Sequence, residues 1–588
     1  KRRALASPFT PADGHRRVEF FIRMLFSALC DADFLDTEGF FDPSKTAART
    51  EARSPSLDTL LARLTGFIDR KESESHPSEV NRVRKEVRRE AVVAAAWSPG
   101  AFTLTVPTGG GKTLTGMEFA IRHAISNHLQ RVVVAIPYTS IIEQNADEYR
   151  AALGDTAVLE HHSSFDPQRE TALSRLASEN WDVPVVVTTT VQLFESLFAR
   201  RPSRCRKLHN LARSVILLDE AQTMPPALLE PTVEVLGDLV SNYGSSLVIS
   251  TATQPALGRD SLTFGLAGVR EIVPPEKVRA FERLRRVDVR WPTSFDPTPY
   301  EALANDLVAT RRALAITHLR KDARHLTELL DERLGDRSTV HLSALMCPEH
   351  RTRVLADIRQ RLRGDGEVRV VSTQLVEAGV DLDFPVVFRA LAGLDSLAQA
   401  AGRCNREGNL ERGELRVFVP ETEPPQGVLR QARAIAERML RADPALDLSS
   451  AAPHRDFFKH LYSAVKTDAK GIQAARERLN FKEVAEAYQL IEDDWSEPVV
   501  VPYGRAPELL ESLARFGPSR DRLRALGRFS VNVEKKLVSE WIKTGAATRD
   551  SETGVTHLAG NVTAYDDRFG LLSARVARVD PHAFIVDG

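Results

Sequence analysis

Cysteine is scarce in this chain: four residues in 588, Cys30, Cys205, Cys347 and Cys404, far apart and with no Cys-x-x-Cys pair. That spacing argues against a disulfide framework or a zinc ribbon and fits a reducing cytoplasm. No apolar run is long enough to cross a bilayer, so no membrane partner is expected. An excess of charge of one sign is also missing. Lys and Arg number 79 against 80 Asp and Glu, a net charge of −1, so any nucleic-acid contact must come from local grooves rather than a whole-molecule basic field. No adjacent His-Asp pair occurs anywhere, and His15 is the only histidine before His76.

What is present is the composition of an ordinary globular protein, 43% hydrophobic and 27% charged, long enough for about three or four domains. Residues 18–35 have helical spacing of Phe20, Phe21, Met24, Leu25, Ala28 and Leu29, and 42–56, with Pro43 and Pro55, reads as a linker. From residue 81 short β-branched runs (102–106, 132–136, 183–188, 215–218, 247–250) alternate with amphipathic helices. This is the pattern of a parallel sheet covered on both faces. A Pro-rich connector, 291–299, precedes a second series at 313–317, 368–372 and 386–391. The expected organisation is an N-terminal helical segment with linker (1–60), two α/β domains (75–285 and 295–420), a helical linker (421–500, helices near 429–440 and 471–491) and a small accessory domain (501–588, short strands at 529–533 and 583–586).

The strongest local signal is Thr108-Gly109-Gly110-Gly111-Lys112-Thr113, directly after a strand and before a helix. Glycines there let backbone N–H groups surround phosphates at a helix N-terminus. Lys112 would reach the β- and γ-phosphates of ATP and Thr113 would place its hydroxyl on Mg²⁺. Val106 stands where the widely quoted pattern has a further glycine. A plain glycine turn is the alternative, and the flanking strand and helix disfavour it. Asp219-Glu220-Ala221-Gln222 closes a buried strand about a hundred residues later. Asp219 suits the metal and Glu220 the general base that activates water. Thr251 and Thr253, after the next strand, suit hydrogen-bonded coupling of the nucleotide site, with Gln222, to the domain cleft.

The second domain supplies Gln399-Ala400-Ala401-Gly402-Arg403-Cys404-Asn405-Arg406. Arg403 and Arg406 are one helical turn apart and read as one face. They suit charge stabilisation on a transferring phosphoryl group, with a basic helix end as the bland alternative. Thr373, Gly379 and Asp381 lie on a strand-to-loop segment suited to sensing nucleotide and strand together.

In this order the segments resemble the motif set of superfamily 2 helicases, which implies two tandem RecA-like domains with ATP in the cleft and single-stranded nucleic acid across both. Leu104-Thr105-Val106-Pro107, Arg206-Lys207-Leu208-His209-Asn210, the run from Thr188 to Leu197 and the run from Val376 to Pro385 narrow the resemblance to the CRISPR-associated helicase-nuclease of type I interference. Leu526–Val533 and Tyr565–Leu572 faintly suggest the I-C variety. The resemblance implies ATP-driven movement along single-stranded DNA, the non-target strand of an R-loop, after recruitment by a Cascade complex with its crRNA. A general DNA or RNA helicase is the alternative. It places Pro137, Thr139, Ser140, Thr188, Thr189, Gln192, Thr317 and Thr373 on the strand, gripping phosphates rather than reading bases. His341–Ser343 are a weaker such segment.

The family also has a metal-dependent HD nuclease domain. The run from Asp31 to Glu38 resembles the segment with its last metal-binding aspartate, which falls on Asp33. One carboxylate cannot hold its divalent transition metals alone, so residues 1–40 read as the tail of such a domain, its site incomplete. His161-His162 reads as structural or strand-facing. Of three basic stretches, 82–89, 200–207 and 351–363, the second, with Arg204 and Arg206, is the expected phosphate contact.

Overall fold

The computed structural model describes residues 9, 14–51, 54–137, 139–162, 171–335, 339–377, 380–491, 495–559 and 564–572. They form two compact units. One takes in the described residues up to Leu284 together with Ser450–Leu490, the other Arg285–Ser449 and the described residues from Ile491 onward.

The first unit is built on β1 (Ala101–Thr105), β2 (Arg131–Ile136), β3 (Val158–His161), β4 (Val185–Thr189), β5 (Ser214–Asp219), β6 (Ser246–Thr251) and β7 (Arg270–Glu271). They lie in the order β3-β4-β2-β5-β6-β1-β7. All the pairings are parallel. Every residue of β2 and β6 is buried, which is why these strands read as continuous apolar or small-residue runs rather than alternating ones. Parallel pairing brings every strand's C-terminal end to one edge. There the register sets Thr105 beside Thr251 and Asp219 beside Ser250.

The second unit repeats the plan with β8 (Val287–Arg290), β9 (Arg312–Ile316), β10 (Thr339–Leu342), β11 (Val368–Ser372), β12 (Val386–Ala390) and β13 (Gly413–Phe418), ordered β10-β11-β9-β12-β13-β8 and again parallel. Its accessory part is a mixed sheet of β14 (Ser496–Val500), β15 (Ser530–Glu534), β16 (Ala547–Arg549) and β17 (Thr556–Leu558). It shares a core with Cys347 of the larger domain. Tyr565 fastens the two parts: its hydroxyl accepts the Cys347 N–H at 3.0 Å and lies 2.8 Å from His350 Nδ1.

The N-terminal helix His15–Phe41 inverts the expectation for its faces. Phe20 and Met24 are buried, but so are Glu19, Arg23, Ser27 and Asp31, a polar stripe at strict i, i+4 spacing. Leu25, Phe26 and Leu29 are exposed. The stripe is satisfied by partners distant in sequence. Arg476 Nε binds Glu19 at 3.1 Å, the Ser27 hydroxyl donates to the Cys205 carbonyl at 2.6 Å, and Arg206 Nε binds Asp31 at 2.8 Å.

Two local expectations change. The stretch 42–56 contains the helix Pro43–Glu51: proline at the first helical position lacks only an N–H that would have no intrahelical partner, and Arg49 ties the helix to Glu38 and Glu179 at 2.7 and 2.6 Å. The segment 471–491 is two helices, Ile472–Glu477 and Phe481–Ala487, broken where Leu479 takes φ 55° and Asn480 caps the second. The helical stretch after β13 divides between the units at Ser450. Residues beyond it belong with the first unit, where Tyr488 shares a 2.6 Å hydroxyl bond with Thr232. The strand expected at 583–586 falls outside the described residues. Among the described residues no helix is long and apolar enough to cross a membrane.

Candidate active site

The glycine loop leaves β1 and enters the helix Lys112–Ser126. Gly109 and Gly111 have φ of 81° and 90°, backbone that residues with a Cβ adopt at a cost. Gly110 is demanded by packing instead: a Cβ there would meet Val106 Cγ1 at 2.4 Å and the Pro107 carbonyl oxygen at 3.0 Å. Val106, in the place of the usual glycine, thus fills the space beneath the loop. Arg84 Nε donates to the Gly109 carbonyl at 2.9 Å, so one residue of the first basic stretch holds the loop. Arg88 of the same stretch is committed to Glu118 at 2.6 Å.

Around this loop the C-terminal edge of the first sheet gathers the expected residues. Lys112 Nζ lies 3.6 Å from Glu220 Oε1. Glu220 adopts φ 49° and accepts a hydrogen bond from Gln222 Nε2 at 2.6 Å. The Thr251 hydroxyl donates to Gln222 Oε1 at 2.5 Å and accepts the Thr253 N–H at 3.0 Å. One continuous chain therefore runs Lys112–Glu220–Gln222–Thr251–Thr253. Asp219 sits beside it and accepts from the Ser250 hydroxyl at 3.2 Å. Burial, and next the neighbouring Glu220 charge, push its carboxyl up to about 6, with Lys112 and the Ser250 bond pulling the other way.

This site fits Mg²⁺-ATP. A desolvated carboxylate gains most from a cation beside it, and Asp219 is one, with the half-buried Thr113 at the start of the helix on the glycine loop. Half-buried Thr108 lies within the loop. Ser250 and Arg84 were not singled out by sequence. Only the register of β5 on β6, a long-range pairing, reveals Ser250.

Other residues are occupied within the fold. Pro137 is buried after β2. Thr139 and Ser140 begin the helix Thr139–Leu153, but their side chains fall outside the described set. Thr188 donates its hydroxyl to the His161 carbonyl at 2.8 Å, and Thr189 caps the helix Thr190–Leu197 through the Gln192 N–H at 2.9 Å. His162 Nε2 lies 2.7 Å from Glu160, and His161 accepts from the Trp181 indole at 2.9 Å. In the second unit Thr317 is buried with its hydroxyl on the Leu319 carbonyl at 3.1 Å, and Thr373 is buried just past β11.

The arginine pair differs from its sequence reading. The helix Leu394–Ala401 stops before either arginine, and Asn405 takes φ 45°, so Arg403 and Arg406 do not share a helical face. Arg403 is buried and donates to the Val376 and Glu377 carbonyls at 2.8 and 2.6 Å. Arg406 is a quarter exposed and pairs with Asp381 at 2.9 Å. Gln399 is half-buried on that helix, and Gly379 lies outside the described residues. Arg206 is also corrected: it is buried against Asp31 and Glu179, and of the two arginines expected on phosphate only Arg204 is exposed. Lys207 beside it is buried, pushed down to about 8 by desolvation, with Nζ 3.5 Å from Gln192 Oε1 and 5.0 Å from the Trp181 ring. Asp33 stands exposed. Among the described residues no group of three or more His, Cys, Asp or Glu could hold a metal ion, and Asp33 has no such group around it.

A glycine loop and an Asp-Glu strand end on one parallel sheet, followed by a second parallel sheet with an arginine segment, define the helicase class. A DEAD/DEAH box helicase model matches residues 86–259, and a model described as CRISPR-associated nuclease/helicase Cas3, C-terminal, matches 310–409. The chain thus carries a segment that matches a DEAD/DEAH box helicase model and one that matches a Cas3-like C-terminal model, and it is similar to CRISPR-associated nuclease/helicase Cas3 proteins. It is 28% identical to the Haloferax volcanii protein of that name over 65% of this chain and 55% of that relative, and so spans about half of that relative's length. Two solved structures share the fold. T. fusca Cas3 with AMPPNP has a TM-score of 0.58 at 18% identity, over 85% of this chain and 68% of that one. A chain of a CRISPR RNA-guided surveillance complex before nicking has 0.50 at 17%, over 79% and 65%.

Proposed function

We propose that this chain is an ATP-dependent motor that moves along single-stranded DNA in type I CRISPR interference. The observation that carries the reading is the unbroken chain Lys112–Glu220–Gln222–Thr251–Thr253 beside Asp219. It supports a reading in which phosphate grip, base and relay share one sheet edge.

Without nucleotide, Lys112 neutralises Glu220. Bound ATP draws Lys112 to the β- and γ-phosphates, cradled by the backbone from Thr108 to Thr113. Thr113 and Asp219 would hold Mg²⁺, whose charge would offset that of the transferring phosphoryl group. Glu220, released from Lys112 and oriented by Gln222, accepts a proton from the attacking water. Movement of Gln222 passes through Thr251 to Thr253 and on to the strand-binding segments. On this reading Arg406, Gln399, Gly379 and Asp381 also serve ATP hydrolysis, and Arg403 holds the second domain's sensing loop through the Val376 and Glu377 carbonyls. Pro137, Thr139, Ser140, Thr188, Thr189, Gln192, Thr317 and Thr373 form the strand path. Because the hydroxyls of Thr188, Thr189 and Thr317 are already bonded within the fold, the grip on phosphate at these positions comes largely from backbone amides.

The relatives' shared name and the likeness to a chain of a surveillance complex support a CRISPR RNA-guided complex, Cascade with its crRNA, as partner, and this reading takes the displaced strand of an R-loop as substrate. The relatives' name also pairs a nuclease with the helicase, so a nuclease is the companion activity of this reading. The test is ATP hydrolysis with single-stranded DNA, RNA or neither, with and without Cascade on a target. DNA should stimulate turnover, and Lys112→Ala and Glu220→Gln should abolish it. Full turnover in either variant removes the catalytic assignment. Equal stimulation by RNA with no response to Cascade favours a general helicase.

A further inference from the structure

The Pro-rich connector that links β8 to the helix Tyr300–Val308 forms a groove that the motor reading does not use. Trp291, Pro292 and Phe295 from the connector and Leu440, Arg441 and Pro444 from the end of the helix Val428–Ala442 enclose about 560 Å³ within the second unit. We propose that this groove holds an unstacked base of single-stranded nucleic acid, an inference that rests on the single-strand reading above.

Position is the first argument. Trp291 directly follows β8, and the Thr298 N–H donates to the Val419 carbonyl at 2.8 Å, one residue past the end of β13. The connector therefore runs along the C-terminal edge of the second sheet, the edge where Thr317 follows β9 and Thr373 follows β11. A strand held at those two positions has the groove on the same edge, beyond β13.

Rigidity is the second. The Trp291 indole N–H donates to the Leu446 carbonyl at 3.1 Å, which fixes the ring. The Arg441 guanidinium lies 4.2 Å over the Phe295 ring and donates twice to Glu437, at 3.0 and 2.7 Å. An exposed arginine ordinarily samples many rotamers. Here one face is on an aromatic ring and one edge on a carboxylate, so the plane is set and the outer face remains as a platform. Bases out of a helix stack on aromatic rings and on arginine planes alike, with little sequence preference. One acid, Asp296, also lines the groove. Its charge disfavours a backbone phosphate inside and leaves the groove to the neutral base.

The test compares oligo(dT) with an abasic oligonucleotide of equal length, by fluorescence anisotropy on the full chain, because the two differ in bases and not in phosphates. The unmodified protein should prefer oligo(dT) by on the order of tenfold or more. Trp291→Ala and Arg441→Ala should each bring that ratio toward one, and Trp291→Phe should keep most of it. Arg441 is exposed, so its variant guards against a folding defect at Trp291. An unchanged ratio in both alanine variants overturns the groove and leaves the single-strand reading standing. So does competition for the groove by a proline-rich peptide without any effect of oligo(dT). If the unmodified protein binds neither oligonucleotide, the single-strand reading falls and the groove falls with it.

Discussion

At the residue scale, Asp219 shows what the site costs the fold. An unfolded aspartate ionises near about 3.9, and in the native chain burial and the adjacent Glu220 raise Asp219 to about 6. Between those values the native state holds the proton more tightly than the unfolded state. The contribution to stability is therefore complete below about 4 and is lost as pH rises through about 6. At pH 7.5 the charged carboxylate is a liability until a metal ion or nucleotide arrives. Asp219→Asn removes the charge and keeps the shape. It should raise the Tm of the nucleotide-free protein at pH 7.5 by about 2–4 °C, lose that gain near pH 4, and abolish hydrolysis. Calorimetry at the two pH values checks it, and a lower Tm at pH 7.5 would show that desolvation does not dominate at this position.

At the element scale, the helix His15–Phe41 depends on ions rather than on the apolar residues its sequence displays. Arg206, from the segment preceding β5, reaches Asp31 and Glu179 and lies 4.9 Å over the Phe34 ring, and Asn180 also donates to Asp31 at 3.1 Å. Arg206→Ala leaves a buried carboxylate uncompensated and should cost about 3–5 kcal/mol in urea unfolding. Adding Asp31→Asn should recover at least about 1 kcal/mol. Strict additivity would mean that the two groups are not coupled. The same helix shows where sequence reading stops. The glycine loop and the Asp219-Glu220 strand end were legible because their chemistry lies in a few consecutive residues between a strand and a helix. The buried stripe of Glu19, Arg23, Ser27 and Asp31 was not, because its partners outside the helix lie between 149 and 457 residues away. The end of the second-domain helix at Ala401 was hidden for a related reason: Cys404 and Asn405 join the strand entry at Phe384, a pairing that the local spacing of two arginines does not announce.

At the scale of the whole molecule, the glycine loop and Glu220 lie in one compact unit and the arginine segment in the other. Arg403 and Arg406 look equivalent in sequence, and their surroundings assign them different work. Arg403 is buried and spends its donors on the Val376 and Glu377 carbonyls, while Arg406 is partly exposed and held by the exposed Asp381, a partner it can leave. If hydrolysis requires both units, Arg406→Ala should lower kcat by about 10³-fold or more, with a Tm close to that of the unmodified protein and nucleotide affinity reduced far less. Arg403→Ala should instead lower stability first, by about 2–3 kcal/mol, because two carbonyls lose their donors. Its remaining activity should recover toward normal as temperature falls and the loop is restored. Melting curves and single-turnover hydrolysis on both variants separate the roles. Normal kcat in Arg406→Ala would confine catalysis to the first unit, and an unchanged Tm with lost turnover in Arg403→Ala would make Arg403 the catalytic arginine.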